Sequence, residues 1–167
     1  RAAQATKDGF YKAEIVALSA EQISQKQGLG ADEGFRADSN LESLTKLRAS
    51  FEKDGTVTAG NSSQISDGAA AVIVASEAYA KSIGAKPLAK IIDYNTAGVA
   101  PKDLFFAPKL GIEMLLKKNN LSVKDIDLFE VNEAFAAQVL ADVTPLGIPH
   151  EKLNICGGGV ALGHPIG

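Results

Sequence analysis

The residues of this chain best suited to chemistry are one imidazole and one carboxamide, each beside a distinctive run. His164 stands in Gly163-His164-Pro165, shortly after Gly157-Gly158-Gly159, and Asn132 opens Asn132-Glu133-Ala134-Phe135. Successive glycines let a backbone approach a ligand closely, and a following proline narrows the conformations open to the histidine. Imidazole changes charge near neutrality, so it serves as donor, acid, base or ligand. The plain alternative is a turn histidine in water, and the glycine-rich approach weighs against it. Asn132 has two roles open to it: the N-cap of the following helix, which spacing alone favours, or an amide that orients a water or a carbonyl. Glu133 then falls in a first helical turn, where the helix dipole favours a carboxylate.

Two nucleotide-binding readings of the glycine run fail. Gly158 and Gly163 have the interval of a P-loop, but His164 and Pro165 replace the lysine and hydroxyl residue that grip phosphate. A dinucleotide fingerprint begun at Gly157 and Gly159 would need glycine at Leu162, with an acidic ribose ligand further on. Cys156, the only thiol, invites a nucleophile reading, yet it closes an apolar run with no base or cation nearby in sequence to lower its pKa, and reads as inert. Asn61, Ser62 and Ser63 follow Gly60. They either bond a ligand's amides or end a strand through local side-chain bonds, and the two readings weigh equally.

The elements that must carry these groups alternate. Ser39 and Glu42 suggest a capping box for a helix over 39–51, with Leu41, Leu44, Leu47 and Phe51 on one face. The pattern predicts strands at 69–75, 89–94, 128–131 and 153–156, and helices at 76–83, 108–119 and 134–143. Phe51 and Phe135 are, by periodicity, core residues first. Residues 1–38 read as an irregular excursion. Strand and helix alternate through 87–167, which argues for an α/β layer with buried strands. Gly84-Ala85-Lys86-Pro87 marks the boundary between modules, and both polar constellations fall where a strand ends, the usual place for ligands in open α/β sheets.

Composition bounds the rest. The 167 residues are 46% hydrophobic with a formal net charge of −3, enough to bury a core, and no basic cluster suggests nucleic acid. No apolar run has the length of a membrane span. One cysteine and two histidines imply no metal and no disulfide framework. The chain opens on Arg1 and closes on Gly167 within ordinary-looking sequence, so both ends read as cut and the lack of a targeting segment here carries no information on compartment.

Taken together, these stretches resemble the thiolases, acyltransferases that make and cleave thioesters of coenzyme A. The matching pieces are Gly55 through Ser63 with Asp67-Gly68-Ala69-Ala70-Ala71, then Asn132-Glu133-Ala134-Phe135-Ala136, and Asn154 through Pro165. The last fits the family's Asn-x-x-Gly-Gly and Gly-His-Pro signature, and the 32-residue step from Asn132 to His164 is the family's own. The resemblance covers the whole chain but only the middle-to-late part of a family member. It implies an incomplete thiolase fold, layered αβαβα: residues 1–67 as part of the coenzyme A loop region, 68–86 as a returning strand and helix of the first core domain, and 87–167 as an incomplete second core domain.

The resemblance further implies a Claisen condensation of two acetyl-CoA, or its reverse. His164 matches the histidine that donates to a thioester oxygen, and Asn132 the residue that fixes a water donating beside it. Ser63 matches a serine that bonds the pantetheine arm, with Ala59, Phe51 and Ile65 as apolar walls. Arg36 and Ser43 match positions near the nucleotide end, and Phe135 and Leu104 match the thioester region. Neither family cysteine is among these residues: the nucleophile is expected before Arg1 and the acid/base thiol after Gly167, leaving Cys156 in neither place. Coenzyme A thioesters are then substrates, with no metal or prosthetic group. The parent enzyme is expected to be a homo-oligomer, dimer or tetramer, with the cytoplasm as first choice of compartment and mitochondrion or peroxisome as alternatives.

Two departures stand out: Ala49 where the family usually has proline, and Leu104-Phe105-Phe106-Ala107-Pro108 where many members read Met-Gly-x-Gly-Pro. The two aromatics bear on the acyl pocket and so on chain-length preference; acetoacetyl-CoA is the first expected substrate and a longer 3-ketoacyl-CoA the second. A decarboxylating ketoacyl synthase would show two site histidines. A non-catalytic acyl-CoA-binding relative would keep Ser63 and Phe51 while lacking one or both of the family cysteines in the parent sequence.

Overall fold

The computed structural model of the chain describes residues 1–166. Its helices are α1 (Ala2–Lys7), α2 (Leu41–Thr45), α3 (Glu77–Ser82), α4 (Ala107–Lys118), α5 (Ala136–Leu146) and α6 (Gly159–Leu162). Short 3₁₀ turns cover Pro101–Phe106, Val123–Asp125 and His150–Lys152.

The core lies around α5. Phe129, Val131, Val139, Val143, Ile148 and Leu153 are buried together, with Ile112 of α4 and Val123, Ile126 and Leu146 packed on them. Val139 and Val143 are four apart and so share a face of α5. Gly147 ends that helix in a left-handed conformation (φ 66°), and the Ile148 N–H donates back to the Val143 carbonyl (3.1 Å), which turns Ile148 into the core.

Asp142 joins α4 to α5. The α4 N-terminus has no side-chain cap of its own. The fully buried Asp142 carboxylate instead accepts from the Lys109 backbone N–H (3.0 Å) and from Gln138 Nε2 (2.6 Å). A carboxylate against the first-turn N–H groups is favoured by both the hydrogen bond and the helix dipole.

The strand half of the expected alternation is present as extended chain, with few ladders. Phe129 and Leu153 form a parallel bridge, and isolated antiparallel bridges join Leu18 to Leu29, Ala49 to Thr58 and Ser62 to Phe135. The 69–75 run, expected as a buried strand, is instead exposed: Val72, Ile73 and Val74 are 86%, 98% and 72% accessible. The 89–94 run is likewise exposed at Ile91, Ile92 and Tyr94. Neither pairs in a ladder among the described residues, because a strand needs a neighbour to take its N–H and C=O groups. The second run is tethered from its far end, where Asn95 Nδ2 donates to the Gly111 carbonyl (2.9 Å) and Asp93 meets Lys118 and Asn119. Those three contacts fasten it to α4.

Two helices differ from expectation. The 39–51 helix is only α2, capped by the reciprocal Asn40 and Ser43 pair in place of Ser39 and Glu42. It stops because Ala49 bridges to Thr58 and the Ser50 N–H is taken by the Val57 carbonyl (2.8 Å). The irregular 1–38 segment contains α1, whose Ala2 is buried.

Candidate active site

Asn132 does not cap a helix. Helix α5 starts at Ala136 with Phe135 as its N-cap residue, so the Asn132 amide is left free on the extended segment beyond Val131. It lies 3.4 Å, nitrogen to nitrogen, from Nε2 of the half-buried His164. Two groups separated by 32 residues of chain thus converge. Asn132 Nδ2 carries only hydrogens, so a direct bond needs an unprotonated Nε2. An oxygen acceptor shared between them needs Nε2–H, the other tautomer.

Three contacts hold the pair. The Glu133 carboxylate, expected in a first helical turn, lies outside α5 and accepts from the Val160 N–H in the first turn of α6 (3.0 Å). The Ser66 hydroxyl accepts from the His164 backbone N–H (3.0 Å). Segment 61–63 bonds to the chain just past Asn132, with the Ser63 N–H donating to the Ala134 carbonyl and the Ala136 N–H to the Asn61 carbonyl, both 2.9 Å. Ser62 Oγ donates to the Thr58 carbonyl (2.8 Å), a local strand-ending bond. Nothing in the sequence singled out Ser66 or the Glu133 contact, since each meets a partner far along the chain.

The glycines make room for protein. A Cβ at Gly158 would fall 2.4 Å from Glu133 Oε2, one at Gly159 2.8 Å from the Glu133 carbonyl oxygen, and one at Gly157 2.8 Å from Ala2 Cβ. The close approach expected toward a ligand is spent on these neighbours. Cys156 is half-buried in the same turn; its carbonyl accepts from the Tyr11 hydroxyl, whose pKa is pushed up by burial first and then by the neighbouring Cys156 and Glu130. The expected strand over 153–156 reduces to the Leu153 bridge, because Asn154 adopts a left-handed conformation (φ 43°).

A cavity of about 1070 Å³ reaches this region at Val160 and Ala161. Arg36, Ser43 and Ala59 line it, together with Leu44 and Leu47. Ser63, Phe51, Phe135, Leu104 and Ile65 are not in its wall. Ile65 is fully exposed, so its expected place as an apolar wall has no counterpart in this cavity. Phe135 instead stacks edge-on with Phe51 (centroids 6.0 Å apart) and Phe105 (5.5 Å), and Leu104 sits exposed in the adjoining 3₁₀ turn. This aromatic cluster adjoins the Asn132 segment.

Comparison with known proteins fits this geometry. The thiolase N-terminal domain matches residues 1–78 and the thiolase C-terminal domain residues 85–167. The chain belongs to the thiolase family. A probable acetyl-CoA acyltransferase of Staphylococcus epidermidis is 43% identical over 171 residues, covering 100% of this chain and 43% of the relative. The dimeric peroxisomal thiolase of Saccharomyces cerevisiae superposes with a TM-score of 0.92 at 41% identity, over 99% of this chain and 42% of that one. Human mitochondrial 3-ketoacyl-CoA thiolase, in a complex with CoA, gives 0.91 at 43% identity, over 99% of this chain and 41% of its own. This thiolase chain therefore has part of the α/β thiolase fold, and spans less than half the length of the relatives it matches. Among the described residues, no helix is long and apolar enough to cross a membrane.

Proposed function

We propose that the whole protein is an acyltransferase of the thiolase type, which cleaves acetoacetyl-CoA with coenzyme A to two acetyl-CoA and runs the reverse condensation. The observation that carries this is the approach of Asn132 and His164 to 3.4 Å beside a large cavity. In this chemistry a proton leaves the carbon next to a thioester and negative charge gathers on the thioester oxygen. Two N–H donors, one acting directly and one through a water, meet that charge where it develops. Glu133 and Ser66 keep them in place, so little reorganisation is needed during the step.

The covalent work needs two thiols, a nucleophile that takes the acyl group and an acid/base that moves the proton. Both are assigned to parts of the protein beyond these residues, and Cys156 to neither role. The cavity is read as a coenzyme A site, with Arg36 and Ser43 toward the nucleotide and Ala59 against the pantetheine arm; Ser63, Phe51 and Ile65 are assigned to the same arm, and Phe135 and Leu104 to the thioester end. The CoA bound by the human neighbour supports this. Acetoacetyl-CoA is the first-choice substrate, with longer 3-ketoacyl-CoA second; Phe105 packs on Phe135, the residue assigned to the thioester end. We assign no metal or prosthetic group. A homo-oligomer, dimer or tetramer, is supported by the dimeric yeast neighbour, and a cytoplasmic setting by the bacterial relative.

The test is thiolysis of acetoacetyl-CoA by the whole protein and by its His164→Ala and Asn132→Ala variants. Each variant is expected to lose about 10² to 10³ in turnover, with coenzyme A affinity largely kept. Equal losses in turnover and affinity would argue against an oxyanion role, and no thiolysis of any 3-ketoacyl-CoA would overturn the assignment. The 167-residue chain alone is expected to be inactive. Turnover by it that disappears in Cys156→Ala would reverse the reading of Cys156.

A further inference from the structure

We propose that Gln64 and Ser66 are positioning residues that together set the orientation of His164, and that Gln64 couples it to whatever occupies the 1070 Å³ cavity. Only the identity of that occupant, a coenzyme A thioester, rests on the function proposed above.

Segment 61–66 is a hub. Its backbone bonds to the Asn132 side of the site, at Ala134 and Ala136. Gln64 and Ser66 are two apart on extended chain and so project to one side, with the exposed Ile65 between them. Both grip the His164 side. Ser66 Oγ accepts from the His164 N–H, and a Cβ at Gly163 would lie 2.4 Å from that oxygen, so the contact has no slack.

Gln64 Nε2 spends both hydrogens on backbone carbonyls, one on Gly34 (2.7 Å) and one on Ala161 (2.9 Å). Both carbonyls belong to residues that line the cavity, as does Gln64 itself. A Cβ at Gly34 would sit 2.8 Å from Gln64 Nε2, so the approach depends on glycine there. Helix α6 has four residues and little stability of its own. Its direction is therefore set from outside: Glu133 holds its first turn, Gln64 its last, and Ser66 holds His164, two positions past its end. A ligand that shifts the Gly34 carbonyl acts through one side chain on Ala161, three positions before the imidazole.

The experiment uses the whole protein and three variants. Gln64→Met keeps the length and removes both donors, Ser66→Ala removes the acceptor, and Ser66→Thr restores it. Nitrogen NMR of the His164 ring is recorded with and without coenzyme A, alongside kcat and KM for acetoacetyl-CoA. We expect Gln64→Met and Ser66→Ala to shift the ring signals and lower kcat by about tenfold to a hundredfold with KM little changed, and Ser66→Thr to resemble the parent. Coenzyme A should move the His164 signal in the parent and no longer do so in Gln64→Met, although it still binds. Unchanged ring signals in folded Gln64→Met and Ser66→Ala would overturn the positioning role. A preserved coenzyme A response in Gln64→Met would overturn the coupling. Ring shifts in a protein with no thioester turnover would leave the positioning role standing and sink the thiolase function instead.

Discussion

The Asn154 side chain clasps Val131 by both of its backbone polar atoms: Oδ1 accepts from the Val131 N–H (2.8 Å) and Nδ2 donates to the Val131 carbonyl (2.9 Å). The Asn154 N–H meanwhile bonds the Phe129 carbonyl (2.8 Å), so main chain and side chain together supply two successive rungs. An amide can imitate a peptide group in this way; the pairing then ends at Asn132, whose own amide stays available. The left-handed conformation of Asn154 (φ 43°) is one that asparagine tolerates better than most residues.

Asn154→Leu keeps the bulk and leaves both Val131 groups buried without partners. Each orphaned group costs about 1–3 kcal/mol, so urea unfolding should show a loss of that order or more. A variant within about 0.5 kcal/mol of the parent, the range of an ordinary surface change, would mean that the clasp contributes little.

Gly163 and Gly84 both have positive φ, 104° and 67°, but differ in surroundings: a Cβ at Gly163 meets Ser66 Oγ at 2.4 Å, and one at Gly84 meets nothing within 4 Å. Gly84→Ala should therefore cost only backbone strain, about 1–2 kcal/mol, and leave thiolysis by the whole protein intact. Gly163→Ala should displace His164 and abolish turnover. Two variants that lose stability and activity alike would show that strain, and not the Ser66 contact, governs this turn.

Burial drives the Asp142 carboxyl above the ordinary aspartate value, against the opposing pull of Gln138 and Lys109. The fold thus binds this proton more tightly than the unfolded chain does. The resulting stability is complete below the unfolded value and is lost as pH rises through the folded one. Asp142→Asn keeps an acceptor for the Lys109 N–H and does not titrate. The stability difference between parent and variant should change across the acidic range, with the parent losing ground as pH rises. A difference that stays flat with pH, by chemical unfolding, would contradict the shift.

The exposed runs at 69–75 and 88–92 present aliphatic side chains and open backbone groups, which favour association. Sedimentation of the 167-residue chain should show self-association that rises with concentration and falls in Ile73→Lys. A monomer at every concentration would show that these runs find cover within the chain in solution.

Sequence alone determined what is locally encoded. Helices α4 and α5 follow from apolar spacing, and α3 falls within the expected 76–83 span, where Ser76 turns out to be its N-cap. Three ordered motifs, Gly55 to Ala71, Asn132 to Ala136 and Asn154 to Pro165, carried the resemblance to the family, since such motifs are fixed in spacing. Tertiary structure alone decided that Asn132 does not cap α5, what the glycines accommodate, and that Glu133 and Ser66 contact the segments carrying the pair. Each depends on a partner far away in the chain, 98 residues from Ser66 to His164, and no local pattern reports such a partner. The same reason explains the strands: apolar β-branched runs announce an extended path, but whether it becomes a sheet is settled by the chain lying beside it.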